Sequence, residues 1–183
     1  LPELIDNFIL WQQERDDSSS NIDLAYVLQA EHLFNHGVFA PAGLSYDRIR
    51  TLNLPEQLRA SILYKRGWSH TEAKNHVQAI KAFGDFITGY PEDPRISNAL
   101  AKRALSYRAT EDYDSALLDL KRIMANHPDS EAAELAYQQS ALIKGQLGEY
   151  KAMVENYTTL LEKFPGSKAT PEAHFWIGWG KFE

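Results

Sequence analysis

Apolar residues in the second half of the chain recur at the three- and four-residue spacing of amphipathic helices. Between positions 97 and 110 they are Leu100, Ala101, Ala104, Leu105 and Tyr107, which share one helical face. A second apolar stripe runs from Tyr113 to Met124 and stops before Pro128. Glu111 and Asp112 separate the two stripes, and acidic residues favour a helix start. The pattern therefore predicts two helices joined by a short turn.

This predicted helix pair repeats with a constant step. Prolines stand at positions 91, 128 and 165, and so are 37 residues apart. Four other series keep the same step: Phe83, Leu120 and Tyr157; Leu63, Leu100 and Tyr137; the small residues Gly67, Ala104, Ala141 and Gly178; and Ala79 and Ala116, followed by Met153. We expect small residues where two helices cross closely, and proline where a pair ends, because proline cannot continue a helix. The agreement predicts an array of repeats.

The beginning of the chain is helical in pattern but does not follow this step. We expect a helix after Pro2, a loop at 16–21, a helix ending at Gly37, a loop at 40–43 and a short helix near 46–52. We interpret residues 1–54 as a degenerate repeat with a capping helix, which helical arrays need at their ends. Residues 55–183 then hold the repeats. The last repeat, from 171, has only its opening helix, so we expect the array to continue in a longer parent chain.

The order of features within each unit resembles the tetratricopeptide repeat: a small residue in the first helix, an aromatic residue and an alanine opening the second, and a closing proline. The resemblance implies an all-α fold, a right-handed superhelical solenoid of antiparallel helix pairs, and protein binding as its function. The family unit has about 34 residues. We expect the three extra residues here, 94–96, 131–133 and 168–170, to lengthen the first helix by about one turn.

The longer unit and three short phrases resemble a particular group of such proteins. The phrases YPEDP, FPGSKATPEA and AHFWIG are similar to repeats of bacterial cell-envelope proteins, of the Tol-Pal-associated coordinator type and of the outer-membrane assembly lipoprotein type. This resemblance implies a location in the periplasm or cell envelope, with the cytoplasm as the alternative.

Composition removes several classes of function. The net charge is −6 and the pI near 5.5, so we expect no nucleic-acid partner, because phosphate binding needs a basic surface. The chain has no cysteine, which removes disulfides, zinc–thiolate sites and thiol nucleophiles. No run approaches the roughly 20 apolar residues that cross a bilayer, so we expect no membrane insertion by this segment.

The histidines are the candidate residues for an enzyme or a metal site. His32 and His36 share a helical face, but the zinc-protease pattern needs a glutamate directly after the first histidine, where this chain has leucine. His70 and Glu72 lie near a predicted turn with His76, and His76 takes a core position of the repeat. Phosphate-loop and nucleophile-elbow patterns are also missing. We predict no enzyme, no cofactor and no bound metal.

A partner is expected on the inner surface, which the first helix of each repeat lines. The resemblance places these residues there: Tyr64, Lys65, Trp68, Lys102, Leu105, Arg108, Gln138, Leu142, Phe175 and Trp179. Aromatic residues and arginine are typical interface anchors, although the same aromatics could pack between neighbouring repeats. A clamp for a terminal carboxylate is disfavoured, because only Lys65 and Lys102 supply positive charge at the matching positions.

We therefore predict a scaffold or adaptor that binds a peptide or protein partner. Two alternatives remain open at this point. One is a structural arm that self-associates, and the other is a regulatory domain of a larger protein.

Overall fold

A computed structural model describes residues 20–180 of the chain. The helix predicted after Pro2 and most of the loop predicted at 16–21 lie outside this range. Two compact units, Leu1–Pro91 and Glu92–Glu183, divide the chain. The predicted boundary between residues 54 and 55 stays a prediction.

The described part of the first unit consists of helices and one short 3-10 turn. Its helices are α1 (Ser20–Asn35), α2 (Phe39–Asp47), α3 (Glu56–Glu72) and α4 (His76–Gly89), with the 3-10 turn at Thr51–Asn53. Helix α1 packs on α2 and helix α3 on α4, while α2 also contacts α3. These contacts make two helix pairs in succession.

The second unit continues the same scheme through residue 180. Its helices are α5 (Ile96–Ala109), α6 (Tyr113–Asn126), α7 (Glu131–Gln146), α8 (Tyr150–Lys163) and α9 (Thr170–Trp179). Helix α5 packs on α6, α7 on α8, and α8 also on α9, while α5 contacts α7 directly. The odd-numbered helices are thus the first helices of their repeats, and the even-numbered helices the second.

The 37-residue registers are the core positions of these pairs. Phe83, Leu120 and Tyr157 on the second helices are at most 1% exposed. We predicted small residues where two helices cross closely, and this is confirmed at Gly67 in α3. An added Cβ there would lie 2.8 Å from the ring of Phe83 in α4. The helix crossing is therefore too close for any side chain at that position.

The turn between the two helices of a pair also follows the 37-residue step. Gly37, Lys74, Glu111 and Gly148 all have positive φ, between 59° and 76°. This left-handed conformation commonly ends a helix, and glycine adopts it without the steric cost that other residues bear. The first helices α1, α3, α5 and α7 therefore end with the same backbone turn, whichever residue occupies it.

The helix pair α1–α2 carries the registers of the later repeats. Tyr26, Ala30, Ala42 and Tyr46 lie 37 residues before Leu63, Gly67, Ala79 and Phe83, and all four are buried. Gly37 also takes the same turn position. The described part of residues 1–54 is thus built as a helix pair of the repeat type.

Two local expectations for this pair were wrong. Residues 40–43 are not a loop, because they lie inside α2, and the chain near 46–52 ends that helix and forms only a 3-10 turn. Pro41 fits in the first helical turn, where a backbone N–H is not needed. Gly43 is a contact point instead of a breaker, since an added Cβ would lie 2.9 Å from the His70 imidazole.

The three extra residues of each unit lengthen a helix in only one case. Helix α7 begins at the first of them, Glu131. In the other two units, residues 94–95 and 168–169 form a turn before α5 and α9 begin.

Candidate partner-binding surface

In the first unit, the three predicted site residues lie on α3 and contact other aromatic side chains. Tyr64 is only 7% exposed, and its ring meets those of Trp68 and Phe83 edge to face, each at 5.9 Å between centroids. Trp68 is half-buried and lies 6.1 Å from the ring of Phe34 in α1. Tyr64 is therefore a core residue, and Trp68 packs between the first helices of two successive pairs.

Lys65 contacts the same part of α1 as Trp68 does. Its ammonium lies 2.5 Å from a carboxylate oxygen of Glu31 in α1 and 5.3 Å from the centre of the Phe34 ring. Glu31 also accepts a hydrogen bond of 2.9 Å from the Tyr46 hydroxyl. Burial raises the pKa of Tyr46, and the negative charge of Glu31 raises it further. Lys65 thus ties α3 to α1.

In the second unit, α5 presents Lys102, Leu105 and Arg108, all of them half-buried. The guanidinium of Arg108 donates a short hydrogen bond to the side-chain carbonyl of Gln139 in α7, and Gln139 is only 9% exposed. Arg108 therefore connects two successive first helices, as Lys65 does in the first unit.

Gln138 makes the corresponding connection from α7 to α9. Its amide nitrogen donates a hydrogen bond of 2.7 Å to a carboxylate oxygen of Glu172. The positions that the repeat pattern assigns to the inner face are thus used in part for contacts between neighbouring repeats.

One turn further along α7 and α9, the same face opens into a groove. Leu142, Phe175 and Trp179 meet there, three residues that the sequence predicted separately. The groove has a volume of about 480 Å³, and its other lining residues are Gly145, Gln146, Tyr150, Met153 and Trp176. Phe175 is 63% exposed, whereas Met153 is 2% exposed and forms the floor. We refer to these eight residues as the aromatic groove.

Four aromatic rings of the groove contact one another in succession, with neighbouring ring planes nearly perpendicular. The ring centroids of Tyr150 and Trp179 are 4.9 Å apart, those of Trp179 and Trp176 are 5.6 Å apart, and those of Trp176 and Phe175 are 5.1 Å apart. Edge-to-face contacts of this kind are favourable. The rings therefore support one another, which keeps the groove wall in a defined arrangement.

Five groove residues are not among the predicted site residues, and two of them, Tyr150 and Met153, lie on a second helix. Both occupy core registers of a second helix, and the prediction considered only first helices. Glycine at position 145 in α7 allows Met153 to pack closely against that helix, because a Cβ there would lie 2.7 Å from the sulfur of Met153. The sequence signal for this floor is a small residue near the end of a first helix, opposite a methionine in the second helix.

Tyr157, behind this surface, leads to a prediction on stability. Its side chain is fully buried and its hydroxyl makes no hydrogen bond of ordinary geometry within residues 20–180. Burial raises its pKa, and the charge and hydrogen-bonding influence of the nearby Glu172 carboxylate raise it further. A buried hydroxyl that lacks a well-formed hydrogen bond is destabilising. We expect Tyr157→Phe to raise the free energy of unfolding by about 1 kcal/mol, measured by urea denaturation.

Tyr46 is a matched control for Tyr157, because it has the same register and is equally buried. Its hydroxyl donates to Glu31, so Tyr46→Phe should lower the free energy of unfolding by about 1 kcal/mol. Equal effects of the two substitutions would contradict this account of the Tyr157 hydroxyl.

His36 and His70 make contacts within the fold. The ring of His36 contacts the backbone carbonyl of His32 at 2.8 Å. His70 is buried, with its Nε2 atom 3.1 Å from Asp47, and so connects α3 to α2. Across the part of the chain that the structure describes, no group of three or more potential metal ligands comes together.

The sequence of residues 56–178 matches the protein family described as YfiO, outer membrane lipoprotein. The chain belongs to the YfiO family. The match covers every helix from α3 to α8 and most of α9. It therefore includes Tyr64, Lys65 and Trp68 in α3 and every residue of the aromatic groove except Trp179.

Solved structures share the fold of this YfiO-family chain at low sequence identity. A MamA structure described as AMB-1 has a TM-score of 0.67 at 11% identity, over 88% of this chain and 82% of its own. MamA residues 41-end from Desulfovibrio magneticus RS-1 has a TM-score of 0.65 at 14% identity, over 91% and 97%. A tetratricopeptide repeat protein from Parabacteroides merdae ATCC 43184 has 0.63 at 19% identity, over 93% and 64%. The search among curated proteins finds no match.

These comparisons confirm the predicted fold class, an all-helical solenoid of the tetratricopeptide type. Together with the family they support a scaffold that binds other proteins. Among helices α1 to α9, none combines the length and apolar character that crossing a membrane requires.

Proposed function

We propose that this YfiO-family chain is a scaffold of the bacterial cell envelope, acting in the periplasm, that holds a protein or peptide partner against its first helices. The description of the family as an outer membrane lipoprotein supports the location. The acidic net charge of −6 is consistent with a protein partner, because a nucleic-acid partner would need a basic surface.

The aromatic groove is the observation that carries this proposal. Phe175 exposes 63% of its surface beside the half-buried Trp176 and Trp179. Large aromatic residues in a concave surface are the usual anchors of protein interfaces, because they bury much apolar area with little loss of side-chain entropy. Of the remaining predicted site residues, Lys65, Arg108 and Gln138 already contact neighbouring helices.

The proposal is tested by crosslinked capture with two matched variants. Phe175→Ser removes an exposed apolar side chain from the groove, and Leu118→Ser removes an equally exposed one (69%) from α6. Circular dichroism first establishes that both variants are folded. We expect one protein, captured from an envelope extract, to be lost with Phe175→Ser and kept with Leu118→Ser.

Equal capture by the two variants would move the binding surface away from the groove. Capture from the cytosolic extract alone would contradict the envelope location. Size-exclusion chromatography over a range of concentrations tests the self-association alternative, because a dimer of the purified chain that Phe175→Ser abolishes would make a second copy the partner.

A further inference from the structure

The shape and chemistry of the aromatic groove point to one class of occupant. We infer that it takes about one turn of an extended, proline-rich segment in the polyproline II conformation. This inference rests on the proposed function, since it specifies the partner of the same surface.

The size of the groove fits a short segment of a partner chain. Its walls span Leu142 to Gln146 in α7 and Phe175 to Trp179 in α9, which is about one helical turn, or roughly 6 Å of axial length. The volume of about 480 Å³ lies within the range of small-ligand sites. One polyproline II turn of three residues extends about 9 Å, so about two of its three residues would lie between these walls.

The charges around the groove favour an uncharged segment. None of the eight lining residues carries a charge. At one end Glu172 accepts the hydrogen bond from Gln138, and near the other end Lys144 and Glu149 pair at 2.7 Å. A charged side chain entering the groove would lose its hydration without gaining an opposite charge. Proline avoids this cost because its side chain is apolar.

The donors of the groove distinguish an extended segment from a helical one. Neither the indole N–H groups of Trp176 and Trp179 nor the Tyr150 hydroxyl forms a hydrogen bond to any residue between 20 and 180. A polyproline II segment has no internal hydrogen bonds, so its carbonyl groups are free to accept. The carbonyls of a helix are already paired within it. Proline-rich segments also dock onto aromatic-lined grooves in other proteins.

The test is a titration of the chain with a decaproline peptide, followed by NMR of the 15N-labelled tryptophan indole groups. Decaproline should bind saturably and shift the indole signals of Trp176 and Trp179, while the signal of Trp68 stays in place. Trp176→Phe and Trp179→Phe keep an aromatic ring but remove the donor, so each should weaken binding about 2- to 10-fold. Leu118→Ser, on α6 and outside the groove, is the control and should leave the affinity unchanged.

Two further peptides of the same length complete the experiment. A glycine–serine peptide should not bind, because it lacks proline rings to pack on the aromatic wall. Binding of an amphipathic helical peptide in place of decaproline would overturn the inference while leaving the scaffold function intact. Failure of decaproline to shift either groove tryptophan would also overturn it, whereas loss of all partner capture in the crosslinking experiment would remove the scaffold function itself.

Discussion

Asp119→Ala is expected to lower the free energy of unfolding by about 3 kcal/mol, because it leaves the half-buried guanidinium of Arg103 without its carboxylate partner. Asp119 in α6 is 3% exposed and receives two hydrogen bonds of 2.7 Å from the guanidinium of Arg103 in α5. Burial acts to lower the pKa of Arg103, but the hydrogen bond and charge of Asp119 outweigh it and raise that pKa. Equilibrium urea denaturation followed by circular dichroism measures the loss.

The next repeat supplies the control for this prediction. The equivalent positions, 37 residues later, hold Ser140 and Asn156, whose side chains share a hydrogen bond of 3.1 Å. The double variant Arg103→Ser, Asp119→Asn copies this neutral pair and leaves no unpaired charge. We expect it to cost less than about 1.5 kcal/mol, since neutral replacement of a buried ion pair is often tolerated. A double variant as unstable as Asp119→Ala would refute the explanation by an unpaired charge.

The second large effect is expected at Phe83. This ring is fully buried, contacts Tyr64 edge to face and fills the space left by Gly67. Phe83→Ala should therefore lower the free energy of unfolding by about 3–5 kcal/mol, through lost burial and the cavity left behind. The same urea denaturation experiment applies, with intrinsic tryptophan fluorescence as a second probe.

Phe175→Ala is the matched control, because it removes the same side chain from a position that is 63% exposed. Its cost should stay near 0.5 kcal/mol. A small effect of Phe83→Ala would mean that α3 and α4 close together after the ring is removed. In that case the Phe83 ring, which fills the space beside Gly67, would not be what sets the distance between the two helices.

Much of the fold could be predicted because its determinants recur along the chain. The step between Gly67 and Ala104, or between Phe83 and Leu120, is visible in the sequence alone. The N-terminal pair is predicted only as a degenerate repeat, and Leu54 occupies the position where the 37-residue step would place a closing proline. Extending the step backwards to Ala30, and to Gly37 at the turn, would have found it, since both residues have the burial or backbone conformation of their later counterparts.

The candidate site could be predicted only in part. The repeat pattern indicates which side of a first helix faces inwards, and this was enough to select Leu142, Phe175 and Trp179, which the structure brings together. The pattern does not indicate which inward side chains a neighbouring helix engages. Tyr64 is buried and Lys65 is paired because of residues on other helices. Which of the ten residues contact a partner stays a prediction.

The sequence by itself determined the helix pairs, their 37-residue step and the close crossings between them, because each depends on residue types at fixed spacings within one repeat. Only the tertiary structure decided which part of the inner face is available for binding. The contacts Glu31–Lys65, Arg108–Gln139 and Gln138–Glu172 join residues that are 31 to 34 positions apart. Their formation depends on the distance between two helices and on the conformations of both side chains. The aromatic groove opens where these contacts stop, which no spacing within a single repeat could indicate.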